Sequence, residues 1–340
     1  MSPIPRVGIS VEQGALRPVV DSSTSGPGRA AESSRPRAIV FTPSPLLTVT
    51  VEANAAGGAE IHLHAGGQGV WVARMLVTLG INARLCGPFG GEAGAVIKGL
   101  VERDGIAVIA SSATDNGSYL HDRRAGRREP VADCPPPALS RHQLDELYNH
   151  ALVEGAEADV VVLTGPDGDR LLPADTYRRL SSDLKSAGTP VVADLSGECL
   201  TAATAGGLHV AKVSHEDLVR DQQAPTEDRA GILRAARNLR EAGAANVIVT
   251  RADQPALVLA GDRLLEIQAP RFEAFDHRGA GDSLTAGVAA GIARGNDLEH
   301  ALRLGAAAGT LNITRHGLAT GERDLIERLA AHVEIRQVSE

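Results

Sequence analysis

The chemistry this sequence can do is concentrated where glycine turns meet an acid. Gly279, Ala280 and Gly281 stand directly before Asp282, within a stretch from Asp276 to Gly295. Those three residues carry almost no side chain, so a turn built from them brings its N–H groups close to a ligand. The residues after Asp282 are small, apolar and free of proline, which predicts a helix closed by Gly295 as its C′ glycine. A glycine turn that opens a helix is an anion site, because unpaired N–H groups and the positive dipole end point the same way. A carboxylate at that mouth is out of place if the turn only holds anions. It makes sense if it also takes a proton from a group attacking a phosphate. The plainer alternative makes Asp282 a first-turn acid of a closely packed helix.

A second turn, Gly66-Gly67-Gln68-Gly69, opens a helix that runs to Leu79 and is closed by Gly80. Trp71 on that helix offers a bulky, mostly apolar face, suited either to stacking on a sugar or base ring or to ordinary core packing. The Gly67-x-Gly69 spacing also matches part of a dinucleotide fingerprint. The strand that follows, near Ala83 to Cys86, lacks the terminal acid that would grip a ribose, which counts against a nicotinamide oxidoreductase.

The elements that must position these residues alternate between strand and helix. Ala38–Phe41, Val160–Leu163, Val191–Asp194, a strand ending at Lys212, and Val247–Thr250 read as short buried strands of parallel type. Asp194 falls at a strand's carboxyl end, where ligands gather in open α/β sheets. Ser140-x-x-Gln143 is a capping box for a helix to about Val153, Pro173 is well placed to begin the next, and Asn296 or Asp297 caps another through about Leu311. The pattern predicts a parallel sheet covered on both faces. Alternating segments over roughly 47–64 and 114–134 supply a small β lid. Four arginines there, Arg123, Arg124, Arg127 and Arg128, fit a solvated hairpin or an anion clamp.

Composition bounds the rest. The chain has 340 residues, 43% hydrophobic and only 2% aromatic, so Ala, Val, Leu and Ile must build one large core. Residues 1–36, rich in Ser, Pro, Gly and Arg, read as a disordered tail, and the domain runs over 37–335. A net charge of −8 with both signs interspersed argues against nucleic-acid binding. Cys86, Cys134 and Cys199 have no paired spacing and fit a reducing cytoplasm. No apolar run is long enough to span a membrane.

Gly279-Ala280-Gly281-Asp282-Ser283 resembles the C-terminal signature of the ribokinase / phosphofructokinase-B family of carbohydrate kinases, and Gly66–Arg74 resembles its N-terminal glycine signature. Asp194–Leu200 resembles a stretch of the 1-phosphofructokinase and tagatose-6-phosphate kinase branch. The three occur in order across roughly residues 38–333, far more specific than any one of them. The resemblance implies a ribokinase-like three-layer α/β sandwich with a mostly parallel sheet and a β lid. It implies ATP and Mg²⁺ as cofactors, with a monovalent cation as a further candidate, a sugar or sugar phosphate as acceptor, and a homodimer formed through the lid.

Residue roles follow from the same likeness. Asp282 would be the general base, with Gly279, Ala280 and Gly281 around the transferring phosphate. Gly66, Gly67, Gln68, Trp71 and Thr48 would meet the acceptor. Thr48 stands where the family has Asp, Ser44 where it has Asn, Gln68 where the sugar-phosphate branch has Lys, and Asp115 near the place of its substrate arginine. Lys212, Ser214 and Asp217 match a segment that helps hold Mg²⁺ and phosphate through water. Thr250 and Ala252 lead the turn that covers the nucleotide, here without the family's two glycines. Asn312 borders the adenine and cation sites, and Asp276 is the acid that binds a monovalent cation or steadies the anion turn. A phosphoryl transfer to a sugar-like alcohol is the leading expectation. An unphosphorylated sugar or nucleoside acceptor, or a binding protein that has kept the fold without the activity, are the alternatives.

Overall fold

Ten strands form one sheet whose two faces are sorted by the alternation of side chains along each strand. In β1 (Arg37–Phe41), Ala38 and Val40 point to one core while Ile39 and Phe41 point to the other. The same split holds in β8 (Val160–Thr164), β9 (Val191–Asp194), β10 (Leu208–Ser214) and β11 (Ala244–Arg251). Both faces are apolar, so both must be covered, and the sheet becomes the middle of three layers. The computed structural model describes residues 35–168, 171–270, 272, 278–314, 319 and 321–339. All of the structure below belongs to the unit Arg35–Glu340; the tail expected over 1–36 lies, but for Arg35 and Pro36, outside the described residues.

The sheet continues through β4 (Asn82–Phe89) to an edge strand β5 (Ala107–Ser112) that the sequence reading did not anticipate. At the other edge, β12 (Gln254–Ala260), β13 (Arg263–Gln268) and β14 (Glu334–Gln337) pair antiparallel, while β11, β10, β9, β8, β1, β4 and β5 run parallel. One face carries α1 (Gln68–Thr78), α2 (Gly91–Arg103), α8 (Ala280–Ala293), α9 (Leu298–Ile313) and α10 (Arg323–Ala330). The other carries α3 (Arg141–Gly155), α4 (Asp175–Ser186), α5 (Gly197–Gly206), α6 (His215–Arg220) and α7 (Arg229–Ala242). The capping box at Ser140 is formed in both directions, and Asp297 is the cap of α9.

Few aromatics are needed because helices here meet backbone to backbone. A Cβ on Gly287 of α8 would lie 2.5 Å from the Cα of Gly305 on α9, and one on Gly291 would lie 2.6 Å from Ala301. The lid is a separate four-stranded sheet in the order β3 (Ala59–Gly66), β2 (Leu46–Ala53), β6 (Gly117–Asp122), β7 (Glu129–Cys134). Asn116 anchors its base: its carbonyl accepts from Gly90 N–H at 2.9 Å, and its amide donates to the carbonyls of Pro45 and Pro88 at 3.1 Å each. Among the described residues no helix is long and apolar enough to cross a membrane.

Candidate active site

Strand register brings two charged side chains together beneath α8. Asp194 and Lys212 are direct neighbours across β9 and β10, and both share the face of Val192 and Val210, the face that α8 covers. The Lys212 ammonium donates to both carboxylate oxygens, at 2.9 and 3.1 Å, and both residues are buried. The Thr285 hydroxyl of α8 lies 2.6 Å from the same carboxylate and 3.0 Å from the Gly281 carbonyl, and its single proton goes to the nearer, charged acceptor. Burial opposes the charge on Lys212, yet Asp194 and Asp282 beside it hold its pKa above the ordinary value. Truncating one member of such a pair strands a buried charge.

Directly above lies the glycine turn. Gly279 is the N-cap of α8 in the left-handed region, φ 75°, which an L side chain rarely adopts. A Cβ on Gly281 would lie 2.8 Å from the Lys212 ammonium nitrogen, so that glycine lets the helix settle onto the ion pair. The helix starts earlier than the sequence pattern predicts, at Ala280, which puts Asp282 inside the first turn. Burial pushes its carboxyl up to about 7, and the Asp194 charge adds to this, against Lys212 and a hydrogen bond from Gln68. The arrangement is a proton acceptor poised near neutrality beside helix N–H groups with no intrahelical partners. Asn312, fully buried on α9, braces the turn: its amide donates to the Arg278 carbonyl at 2.7 Å and its oxygen accepts from Ala319 N–H at 2.8 Å.

The other glycine turn faces this one through Gln68. Its carbonyl accepts from Gly165 N–H at 2.8 Å, at the end of β8. The glycines around it serve the chain's own packing. A Cβ on Gly67, at φ 96°, would meet the Ser44 carbonyl at 2.5 Å, and one on Gly69 would meet Thr42 at 2.3 Å. Ser44 is buried and accepts from Asp167 N–H at 2.7 Å. Gly66 is different: a Cβ there would lie 3.0 Å from the Thr48 hydroxyl and 3.9 Å from the Trp71 ring. Thr48 pairs with His64 and Tyr119 on one lid face, which also holds Thr50, His62 and His121. Of the four lid arginines, Arg123, Arg124 and Arg127 pair with Glu52, Asp122 and Glu129. Arg128 instead lies 4.6 Å over the Tyr119 ring.

At the carboxyl ends of β10 and β11, Ser214 caps α6, accepting from Asp217 N–H at 3.0 Å and donating to its carboxylate at 2.6 Å. The second Asp217 oxygen accepts from Arg220 at 2.5 Å. Thr250 pairs with Ser214 in register. The turn after it is a tight hairpin in which Ala252 takes φ 46°, a conformation glycine would adopt without strain. Asp276 lies outside the described residues. Sequence reasoning missed Thr285 and Asn116, whose contacts span 91 and up to 71 residues of chain, and no local motif marks either.

The pfkB family carbohydrate kinase profile matches residues 46–325. The chain is 27% identical to 1-phosphofructokinase of Bacillus subtilis over 304 residues, 88% of this chain and 99% of that one. It is equally similar to ATP-dependent 6-phosphofructokinase isozyme 2 of Mycobacterium tuberculosis, over 88% of this chain and 90% of the relative. In fold it is similar to phosphofructokinase-2 of Escherichia coli in complex with potassium, TM-score 0.75 at 24% identity over 88% of this chain and 98% of that chain. It is likewise similar to ribokinase of Arabidopsis thaliana complexed with ribose and ATP, TM-score 0.65 at 21% identity over 87% and 98%. The chain belongs to the pfkB family of carbohydrate kinases, enzymes that transfer phosphate to a sugar hydroxyl.

Proposed function

We propose that this kinase transfers the terminal phosphoryl group of ATP to a hydroxyl of a sugar or sugar phosphate, with Asp282 as general base. The observation that carries the reading is the Asp282 carboxyl, held near neutrality in the first turn of α8. A base works best when its pKa lies close to the working pH. The acceptor's hydroxyl proton passes to Asp282 as its oxygen attacks phosphorus. N–H groups of Gly279, Ala280, Gly281 and Asp282 receive the charge gathering on the phosphoryl oxygens. The lid closes the cleft and keeps water from competing.

Kinases of this family use ATP. Mg²⁺ favours few protein carboxylates, several waters and the nucleotide's own phosphates, and when bound it neutralises charge on those phosphates. Among the described residues no group of three or more His, Cys, Asp or Glu could cage a metal. Asp217, its oxygens engaged by Ser214 and Arg220, suits contact with Mg²⁺ through water. Lys212, Ser214, Thr250 and Ala252 would border the nucleotide, Lys212 by way of the turn it supports.

For the acceptor, Thr48, Gly66 and Trp71 converge at the lid base, and Arg128 lies on the same lid face over Tyr119. Arg128 supports a phosphorylated sugar, as in the phosphofructokinase relatives. The neutral Gln68 and Thr48, together with Asp115, favour an uncharged sugar or nucleoside as the second reading. A coupled assay for ADP release over a panel of sugars, sugar phosphates and nucleosides, with Asp282→Asn beside the wild type, separates these. We expect acceptor-dependent turnover that Asp282→Asn lowers by about a hundredfold or more. Turnover that the substitution leaves within about tenfold of wild type refutes the base, and ligand binding with no turnover on any acceptor refutes the kinase.

The outer lid face carries Val49, Val51, Ile61, Leu63 and Leu120, with Ile61 69% and Leu63 43% exposed. A second copy of the chain would cover it, which supports a homodimer through the lid.

A further inference from the structure

We propose that Arg251 is a positioning residue for the nucleotide, a brace that holds the Ala252–Asp253 turn in shape from behind. This rests on that turn bordering the nucleotide. The turn joins β11 to β12, with Arg251 paired to Gln254, and it follows Thr250 at the carboxyl end of β11, beside Ser214 of β10. The strand pairing slips between Val249 and Arg251, and Ala252 then takes φ 46°. An L side chain holds such a backbone only where its surroundings impose it. Arg251 helps to impose it: its Nε donates to the Pro255 carbonyl at 2.7 Å and its Nη1 to the Gln254 side-chain oxygen at 3.3 Å. One guanidinium, rooted on the outgoing arm of the turn, thus clasps the returning arm.

The brace is itself anchored. Arg251 is buried, and its Nη2 lies 3.7 Å from the Glu266 carboxylate of β13, which also accepts from Arg229 at the start of α7. On the outgoing arm the Thr250 carbonyl lies 3.3 Å from Nδ1 of His215, the first residue of α6. Ala252, Asp253 and Gln254 between these ties are exposed, so the outer surface of the turn is open to a ligand. With no glycine in the turn, its shape is set by these contacts rather than by backbone freedom. A backbone already held in one shape loses little freedom when a ligand orders it, and affinity rises accordingly. Glu266 keeps Arg229 when Arg251 is replaced, so the substitution strands no carboxylate.

Calorimetry with ADP and Mg²⁺, beside hydrogen exchange across Ala252–Gln254, tests this on the full chain. Arg251→Leu is expected to speed exchange in the turn and to raise the ADP Kd about tenfold, with the acceptor KM unmoved. Arg251→Lys keeps a cation near Glu266 but has no planar fork to serve Pro255 and Gln254 together, so it should recover only part of that affinity. Should Arg251→Leu fail to fold, the same comparison is made on Arg251→Lys. A loosened turn with ADP binding unchanged overturns the proposal. So does an ADP Kd that rises together with the acceptor KM, the mark of a general loosening. A wild type that binds ADP but turns over no acceptor sinks the phosphotransfer reading alone and leaves the Kd comparison to decide the role of Arg251. A wild type that binds no ADP overturns both.

Discussion

Asp282→Asn is expected to inactivate the protein and stabilise it in the same stroke. The carboxyl is pushed up to about 7 from an ordinary 3.8, about three pH units, and each is worth 1.36 kcal/mol, so ionising it in the fold costs about 4 kcal/mol. The folded state disfavours the charge. Wild-type stability is therefore whole below about pH 4, falls as pH rises toward 7, and is flat above. Asn carries no charge, so its advantage is near zero at pH 4, about 2 kcal/mol at pH 5.5, and largest at pH 8. The attraction of Lys212 is already contained in that value, so the advantage of Asn at pH 8 is about 4 kcal/mol. Urea unfolding of both proteins at pH 5.5 and 8 measures the difference, and turnover is expected to fall about 10²–10⁴-fold. A variant no more stable than wild type at pH 8, or a difference that ignores pH, would refute the reasoning.

Below pH 7, kcat/KM should fall about tenfold per pH unit as Asp282 protonates, with the midpoint near 7 lost in any variant that has no base there. Lys212→Met leaves Asp194 buried with only the Thr285 hydroxyl and should destabilise by about 3–5 kcal/mol in urea unfolding, and Lys212→Met with Asp194→Leu should recover most of it. Ala252→Gly relieves a left-handed alanine in the β11–β12 hairpin and should raise stability by about 1 kcal/mol, read from the same unfolding curves. Ile61→Lys on the lid's outer face should convert a dimer to a monomer in sedimentation equilibrium, and an unchanged mass counts against that face.

The three-layer fold was legible because buried parallel strands are near-continuous runs of Val, Ile and Leu, and β1, β8, β9 and β11 are such runs. The edge strand β5 and the antiparallel β12–β14 are not: edges carry mixed residues, and pairing partners distant in sequence leave no local trace. The Gly279–Asp282 turn could be read because its chemistry is local. The pair beneath it could not, since Asp194 and Lys212 become neighbours only when β9 and β10 align in register. Gln68 was read as an acceptor contact by analogy with a lysine. Only the fold, by bringing the Gly165 N–H to its carbonyl, shows the amide oxygen already occupied. The turn at Ala252 lacks glycine in the sequence, yet the chain adopts glycine's conformation there, because strand pairing on both sides dictates the reversal.

The contact between α8 and α9 has a bearing on how this enzyme can change. Gly287 and Gly305 touch through main chain alone, and main chain has no alternative rotamers with which to absorb a neighbour's mutation. Bulk added there must move a helix, and with it the acid in its first turn. Freedom to acquire new acceptors therefore falls to the lid, where Thr48, His62, His64, Tyr119 and His121 stand on two-residue spacing along strands that can exchange side chains without disturbing the chemistry below.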